Sequence, residues 1–300
     1  MEAIKKGAHM IIDGKRIAET MLTGLALEVT TLKKGGVTPT LAVILIGDDP
    51  ASLAYIKQKQ KAAEKIGASL IFEHHNASLT GGGLYNLIAK YNSDPAIHGL
   101  IVQRPIPHEV GVVTDVLKKV RADKDVDGFL PDSPFDTPVA VAVGEILKTV
   151  YRDQSSASDA SAANTYSDWL KKKHIVIIGR GETAGEPIFR YFRKQDCTTS
   201  QIHSKTEEPE NVIREGDIII CCVGKERVVT RDSIKPGAIL ISVGIRRDHD
   251  GKLRGDYDES DIADHAYAYT PTPGGVGPVN VACLMQNLIK ACTMSKGGTI

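Results

Sequence analysis

Apolar runs alternate with helix-spaced apolar stripes from Met10 onward. Met10–Ile12 has strand character. From Gly14 to Lys34, Ile17, Met21, Leu25, Val29 and Leu32 recur at helical spacing, and Gly35-Gly36 ends that helix. Leu41–Ile46 is an unbroken apolar run, the mark of a strand covered on both faces. Gly47–Pro50 turns into a predicted helix of about 16 residues. Ser69–His74 predicts a strand, Leu84–Tyr91 a helix, His98–Gln103 a third strand and Val110–Val120 another helix. Strand and helix in alternation make a parallel α/β unit.

A long helix is predicted over Val139–Tyr151. Arg152–Ser167, rich in Ser, Ala, Asp and Asn, reads as a surface loop. A second α/β unit opens at His174, with a buried strand at Ile175–Ile178 and further strands near Ser200–Ile202, Asp217–Cys222, Ala238–Val243 and Tyr267–Tyr269. Val279–Cys292 predicts a closing helix through Val281, Leu284, Met285, Leu288 and Ile289. The fold class is therefore α/β, with two three-layer parallel-sheet domains and no repeat of solenoid period.

Composition narrows the function classes. Three hundred residues suffice for two such domains. Lys+Arg and Asp+Glu are both 37, so no broad basic surface for nucleic acid is implied. Five cysteines, odd in number and without Cys-x-x-Cys, point to reduced thiols in a cytoplasmic protein, with neither a zinc site nor a disulfide framework. No apolar run reaches the length of a membrane span. Residues 1–9 read as a tag remnant, with Gly7-Ala8-His9-Met10 as a cloning scar before a natural start at Met10. Adjacent His74 and His75 on a strand point to opposite faces, a poor chelate, and no metal is expected.

Gly179-Arg180-Gly181-Glu182-Thr183-Ala184-Gly185 follows a buried strand and opens a helix. Glycines there allow a tight turn and set a helix N-terminus against a pyrophosphate. The spacing is one residue longer than the common dinucleotide fingerprint. At the end of the next strand an NAD site would carry Asp or Glu for the ribose 2′-hydroxyl; this chain has His203-Ser204-Lys205-Thr206 instead. Hydroxyl and basic groups suit a 2′-phosphate, with Arg180 able to pair with it, so NADP is expected over NAD. A plain solvated turn is the alternative for Ser204 and Lys205.

Other motifs stand in a fixed order. Tyr55 and Lys59 lie four apart on a predicted helix and share a face, whereas Lys57 and Lys61 point to solvent. Gln103 and Asp127 follow strand ends or short loops, on the side where open α/β sheets bind ligands. Asp123 and Asp125 have a ready role as turn or cap residues. Pro273-Gly274-Gly275-Val276-Gly277-Pro278 is a side-chain-poor loop bounded by prolines, fit for close approach to a flat ligand or simply for a turn.

Taken together, Tyr55-x-x-x-Lys59, Val102-Gln103-Arg104-Pro105-Ile106-Pro107, Lys124-Asp125-Val126-Asp127-Gly128-Phe129, Gly179-Arg180-Gly181, His203–Thr206 and Pro273–Pro278 resemble the bifunctional methylenetetrahydrofolate dehydrogenase/methenyltetrahydrofolate cyclohydrolase family. The likeness runs from about Met10 to Ala291. It implies a homodimer of two-domain subunits with folate in an interdomain cleft. It also implies NADP-dependent oxidation of 5,10-methylenetetrahydrofolate and hydrolysis of the methenyl product to 10-formyltetrahydrofolate. By the same resemblance Lys59 is the central catalytic group, Tyr55 lines the folate, Gln103 holds Lys59 and Asp127 pairs with the pterin N–H groups. Pro273, Gly274, Gly275 and Gly277 would line the substrate. Gly179, Arg180, Gly181, Gly185, His203, Ser204, Lys205, Thr206, Gly244 and Ile245 would hold the cofactor. Residues 10–138 plus 273–300 would form the folate domain, and 139–272 the Rossmann-type domain.

This chain departs from the family pattern at several places. Leu130–Pro138 replaces a longer segment, Arg104 replaces Leu, Gly181 replaces Ser, Ser242 stands where Asp is common, and Val279-Asn280 replaces Met-Thr. The competing readings are a shikimate dehydrogenase-like NADP enzyme and a non-catalytic nucleotide-binding dimer.

Overall fold

Leu41–Ile46 takes the place that its unbroken apolar run demands, at the centre of a sheet. In the computed structural model these six residues are at most 2 % exposed. The structure describes residues 10–110, 114–157 and 165–297. Along the chain run β1 (Met10–Ile11), α1 (Gly14–Lys34), β2 (Thr40–Ile46), α2 (Pro50–Ile66), β3 (Ser69–His75), α3 (Gly81–Ser93), β4 (Gly99–Val102) and α4 (Thr114–Leu117). Next come α5 (Pro138–Ala157), α6 (Tyr166–Lys171), β5 (His174–Ile178), α7 (Gly185–Lys194), β6 (Thr198–Ile202), α8 (Pro209–Glu215), β7 (Ile218–Cys221) and β8 (Ile239–Ser242). The chain closes with β9 (Arg246–Arg247), β10 (Leu253–Arg254), α9 (Glu259–Ile262), β11 (Ala268–Tyr269) and α10 (Val276–Ser295).

Two compact units result. One comprises residues 18–138 with 281 onward; its parallel sheet runs β3-β2-β4. Alternate residues of β2 serve two layers. Leu41, Val43 and Leu45 cluster with Leu22, Leu25 and Val29 of α1, Ile56 and Ala63 of α2, and Leu284, Met285 and Leu288 of α10. Ala42, Ile44 and Ile46 cluster with Leu84, Ile88 and Tyr91 of α3. The buried stripe of α1 is Ala18, Leu22, Leu25 and Val29, so Ile17, Met21 and Leu32 flank the core rather than centre it.

The other unit comprises, among the described residues, 10–17 with 139–157 and 165–280. Its parallel sheet runs β1-β11-β8-β7-β5-β6, with a separate antiparallel β9–β10 pair. Strand order reverses at β5, so the carboxyl end of β5 is a switch point where α/β sheets bind ligands.

Three expectations change. Val110–Val120 is not one helix: a 3-10 turn at His108–Val110 and the single-turn α4 replace it, and 111–113 lie outside the described residues. Arg152–Ser167 is not all loop. The stretch 152–157 extends α5, and Thr165 caps α6 in a reciprocal pairing with Asp168, while 158–164 lie outside the described residues. The domain boundaries also move, because β1 pairs with β11 and so ties 10–17 to the six-stranded unit. Residues 273–280 pack with that unit as well, since a Cβ on Gly14 would fall 1.8 Å from the Gly275 carbonyl oxygen. The tag reading of residues 1–9 falls outside the described residues.

Candidate functional site

In the three-stranded unit, Asp49 caps α2 by accepting the Ser52 N–H at 2.7 Å, and Pro50 begins the helix. This launches α2 from the carboxyl end of β2. One helical turn apart, Tyr55 and Lys59 share a face, with the Lys59 Nζ 5.1 Å from the Tyr55 ring centroid. Lys59 is only 2 % exposed. Its ammonium or amine donates to Gln103 Oε1 at 3.0 Å. Gln103 directly follows β4, and its amide nitrogen donates to the Arg104 carbonyl at 3.0 Å. The same carbonyl accepts the Ser52 hydroxyl at 3.3 Å, and the Arg104–Pro105 peptide is cis.

Burial drives the Lys59 pKa below the ordinary amine value, and the negative charge of Asp127 pulls it back up. The structure thus brings Tyr55, Lys59, Gln103 and Asp127 into one electrostatic neighbourhood. Lys57 and Lys61 are exposed.

The loop carrying Asp127 is held by Lys124 and Asn287, whose roles the sequence reading passed over, and by Asp125, which it read as a turn or cap residue. Lys124 is buried and donates to the carbonyls of Tyr91, Asn92 and Asp94 at 2.8, 3.0 and 2.7 Å, closing the C-terminal end of α3. Asn287 of α10 donates to the Val126 and Asp136 carbonyls at 2.9 and 3.0 Å. Asp125 accepts the Leu130 N–H at 2.8 Å. Gly128 has φ +69°, and a Cβ there would meet Phe135 O at 2.7 Å. Beside it the Arg104 guanidinium carbon lies 4.9 Å from the Phe129 ring centroid. The adjacency of Lys124 to an Asp-x-Asp-Gly run was the one sequence signal available, and it did not distinguish a structural lysine from a surface one.

In the six-stranded unit, the glycines after β5 form the tight turn. Gly179 has φ +112°, and a Cβ on Gly185 would fall 2.3 Å from the Gly179 carbonyl oxygen. Gly181 faces open space and α7 starts at Gly185, with no side-chain cap at Ala184. At the end of β6, His203 N–H donates to Thr206 Oγ1 at 3.0 Å and Thr206 N–H to the His203 carbonyl at 3.0 Å. That turn presents Ser204 and Lys205 to solvent, as the β5 turn presents Arg180. Gly244 abuts buried Asp256, with a Cβ position 2.3 Å from the carboxylate, and Ile245 is 54 % exposed. The loop from Pro273 follows a cis Thr272–Pro273 peptide; Gly274 has φ +109° and Gly275 packs against Pro271 O. The glycine at 275 is thus explained by close packing, whereas Gly277 faces open space. Among the described residues no group of three or more His, Cys, Asp or Glu is placed to hold a metal ion.

These features define an α/β protein with a Rossmann-type nucleotide turn in one unit and a buried lysine–glutamine pair in the other. Residues 12–127 match the family model for the tetrahydrofolate dehydrogenase/cyclohydrolase catalytic domain, and residues 160–296 that for its NAD(P)-binding domain. The chain belongs to the tetrahydrofolate dehydrogenase/cyclohydrolase family. It is 37% identical over 290 residues to Bifunctional protein FolD of Bacillus subtilis (strain 168), covering 94% of this chain and 96% of that one. The crystal structure of bifunctional FolD from Campylobacter jejuni superposes with a TM-score of 0.87 at 32% identity, covering 96% of this chain and 99% of that one. The Trypanosoma brucei enzyme, complexed with NADP cofactor and inhibitor, gives 0.85 at 28% identity, with 97% and 99% covered.

Asp125 yields a stability prediction. Burial raises its pKa from 3.8 to about 6, so between those values the folded chain binds more protons than the unfolded one. Stability from this group therefore falls as pH rises from about 4 to about 6, and the cost persists at neutral pH. Asp125→Asn keeps an acceptor for the Leu130 N–H and removes the charge. It should be more stable than the parent near neutral pH by about 1–3 kcal/mol. The difference should vanish at a pH below the ordinary Asp pKa. Chemical denaturation across that range checks this, and a pH-independent difference would refute it.

Proposed function

We propose that this chain oxidises 5,10-methylenetetrahydrofolate with NADP and hydrolyses the methenyl product to 10-formyltetrahydrofolate. The observation that carries the reading is the buried Lys59 donating to Gln103, with Tyr55 against its ammonium and Asp127 in electrostatic reach. The residues after β5 and β6 fit NADP: a turn that only glycine satisfies, no carboxylate at the end of β6, and Arg180, Ser204 and Lys205 all exposed. NADP, when bound, supplies the hydride acceptor for the oxidation.

The chain's own groups do the rest. Asp127 accepts the adjacent pterin N–H groups in a fork, and the Tyr55 ring lines the folate. Lys59 acts on the second reaction. The methenyl carbon is cationic, and water adding to it must lose a proton. A neutral Lys59 amine takes that proton, and its depressed pKa raises the fraction able to do so. Gln103, by accepting one amine hydrogen, turns the nitrogen lone pair toward its task. The adduct then collapses: its remaining O–H proton leaves as the C=O forms, the C–N5 bond breaks and N5 takes up a proton. Lys59 in its ammonium form is the donor. The net reaction consumes one water and releases one proton.

The remaining assignments are part of the same reading. Gly179, Gly181, Gly185, His203, Thr206, Gly244 and Ile245 complete the cofactor contacts, and Pro273, Gly274, Gly275 and Gly277 the substrate loop. All five cysteines are free thiols, which supports the cytoplasm. No helix among the described residues is long and apolar enough to cross a membrane. β3 is an edge strand with Ile71 and Phe72 each 39 % exposed, and this open edge supports a homodimer.

Lys59→Met keeps the bulk and loses the amine. It should cut cyclohydrolysis by about 10²–10⁴-fold while leaving measurable oxidation, so methenyltetrahydrofolate accumulates as NADPH forms. Parent-like hydrolysis of added methenyltetrahydrofolate by this variant would remove Lys59 from the mechanism.

Arg180→Ala should weaken NADP binding by roughly ten- to a hundred-fold and barely alter NAD use. Equal use of NAD and NADP by the parent would contradict the 2′-phosphate assignment.

Light scattering should give a dimer mass for the parent and a monomer for Phe72→Lys. A monomeric parent would discard the edge-strand dimer.

A further inference from the structure

Asp256 is a carboxylate wholly enclosed in the six-stranded unit, and the proposed function leaves it unused. Its main chain is tied to the segment after β7, because the Val228 N–H donates to the Asp256 carbonyl at 2.8 Å. The Asp256 N–H in turn donates to the hydroxyl of Ser242, the last residue of β8, at 2.9 Å. The side chain then draws in the loops that follow both strands. Oδ1 accepts the Lys225 N–H at 3.1 Å. Burial pushes the Asp256 pKa up, and the N–H groups of Lys225, Gly224 and Gly244 act the other way, toward the ionised form. The fit is close enough to dictate two glycines. A Cβ on Gly244 would fall 2.2 Å from the Gly224 nitrogen and 2.3 Å from Asp256 Oδ2. Gly224 has φ +63°, and a Cβ there would fall 3.0 Å from the Ile245 carbonyl oxygen. One buried carboxylate therefore clamps the loop after β7 to the loop after β8.

Those two loops lie along the path of a dinucleotide. On the reading above, the glycine turn after β5 takes the pyrophosphate and the end of β6 takes the 2′-phosphate of the adenosine ribose. The strand order β8-β7-β5-β6 then leaves the carboxyl ends of β7 and β8 for the nicotinamide half. The loop after β7 adjoins the glycine turn, since a Cβ on Gly179 would fall 3.0 Å from Val223 Cγ1. Val223 and Ile245, one from each clamped loop, are exposed apolar side chains, suited to a flat ring. We propose that Asp256 is a positioning residue for the oxidation: by clamping the loops after β7 and β8 it fixes the surface against which the nicotinamide half of NADP is held. The proposal rests on the NADP reading above. Asp256 acts through Gly224, Lys225 and Gly244 and, being enclosed, meets neither cofactor nor substrate itself.

The test is calorimetric titration of the parent, Asp256→Asn and Asp256→Ala with NADP and with adenosine 2′,5′-bisphosphate. The bisphosphate has the 2′-phosphate of NADP and lacks its nicotinamide half, so it reports on the β5 and β6 turns alone. Asp256→Asn keeps the shape and one acceptor oxygen, whereas Asp256→Ala removes both. The Kd for NADP should rise about tenfold in Asp256→Asn and further in Asp256→Ala. Binding of the bisphosphate should stay at the parent value in both. At saturating NADP, kcat for methylenetetrahydrofolate oxidation should fall in the same order, because a ring held off its angle is poorly placed for hydride transfer, while KM for the folate holds. Equal loss of both ligands would overturn the proposal, because Asp256 would then support the fold as a whole. Parent-like NADP binding and kcat in Asp256→Ala would also overturn it. Should Asp256→Ala fail to fold, Asp256→Asn decides by the same criteria. A parent that binds neither ligand overturns the NADP reading itself, and this proposal with it.

Discussion

The burial of the Lys59 amine is the constraint on which the three-stranded unit turns. An ammonium taken out of water is costly, and a lysine so placed sheds its charge unless a partner compensates. Here burial and Asp127 act in opposite directions on the same proton. For the proposed proton transfer, a tight carboxylate partner would lock the ammonium, and an apolar pocket alone would leave no means of handing the proton back. Gln103 settles the geometry without settling the charge, because an amide oxygen accepts from either form of the amine. For that oxygen to stay in place its nitrogen must be held too, and the Arg104 carbonyl does this.

Lys124 is a second buried lysine, and it differs from Lys59 in how its burial is compensated. Burial lowers its pKa as it does that of Lys59. Yet Lys124 meets three main-chain carbonyls, enough for all three ammonium hydrogens. That pairing favours the charged form and fastens the Asp127 loop to the end of α3. Asn287 and Asp125 fasten the rest of the loop, so a segment with little regular structure still has its main-chain polar groups met. The position of Asp127 thus depends on Lys124, Asn287 and Asp125, none of them among the proposed catalytic groups.

Much of this was legible in the sequence because periodicity reports burial directly. β2, α2, β5 and α10 emerged from apolar runs and stripes that one register satisfies. The pair Tyr55 and Lys59 followed from helical spacing alone. What stayed hidden was set by tertiary contact. Val110–Val120 carries an apolar pattern, but its described residues form the end of a 3-10 turn and a helix of a single turn. Met10–Ile12 and Tyr267–Tyr269 read as strands and contain β1 and β11, but β9 and β10 are too brief for periodicity, and only the pairing of β1 with β11 moves the unit boundary to Ile17. Spacing showed neither that Lys124 would be buried nor that Arg104 would reach Phe129, since both partners lie far along the chain.

The departures from the family pattern sort by the same physics. Gly181, in place of Ser, faces open space, where a lost hydroxyl leaves no packing defect. Ser242, in place of Asp, accepts the Asp256 N–H at 2.9 Å and donates to the Gly244 carbonyl at 3.2 Å, so its hydroxyl is satisfied locally. Asp256 is fully buried, with a raised pKa, and accepts the Lys225 N–H at 3.1 Å. A second carboxylate at 242 would share that enclosed space and repel it. Serine beside Asp256 is therefore a consistent choice for this chain. Substitution was tolerated where a polar group could be met by near neighbours or by solvent. Lys59 has neither option, because its amine is subject to burial, the Gln103 hydrogen bond and the charge of Asp127 at once.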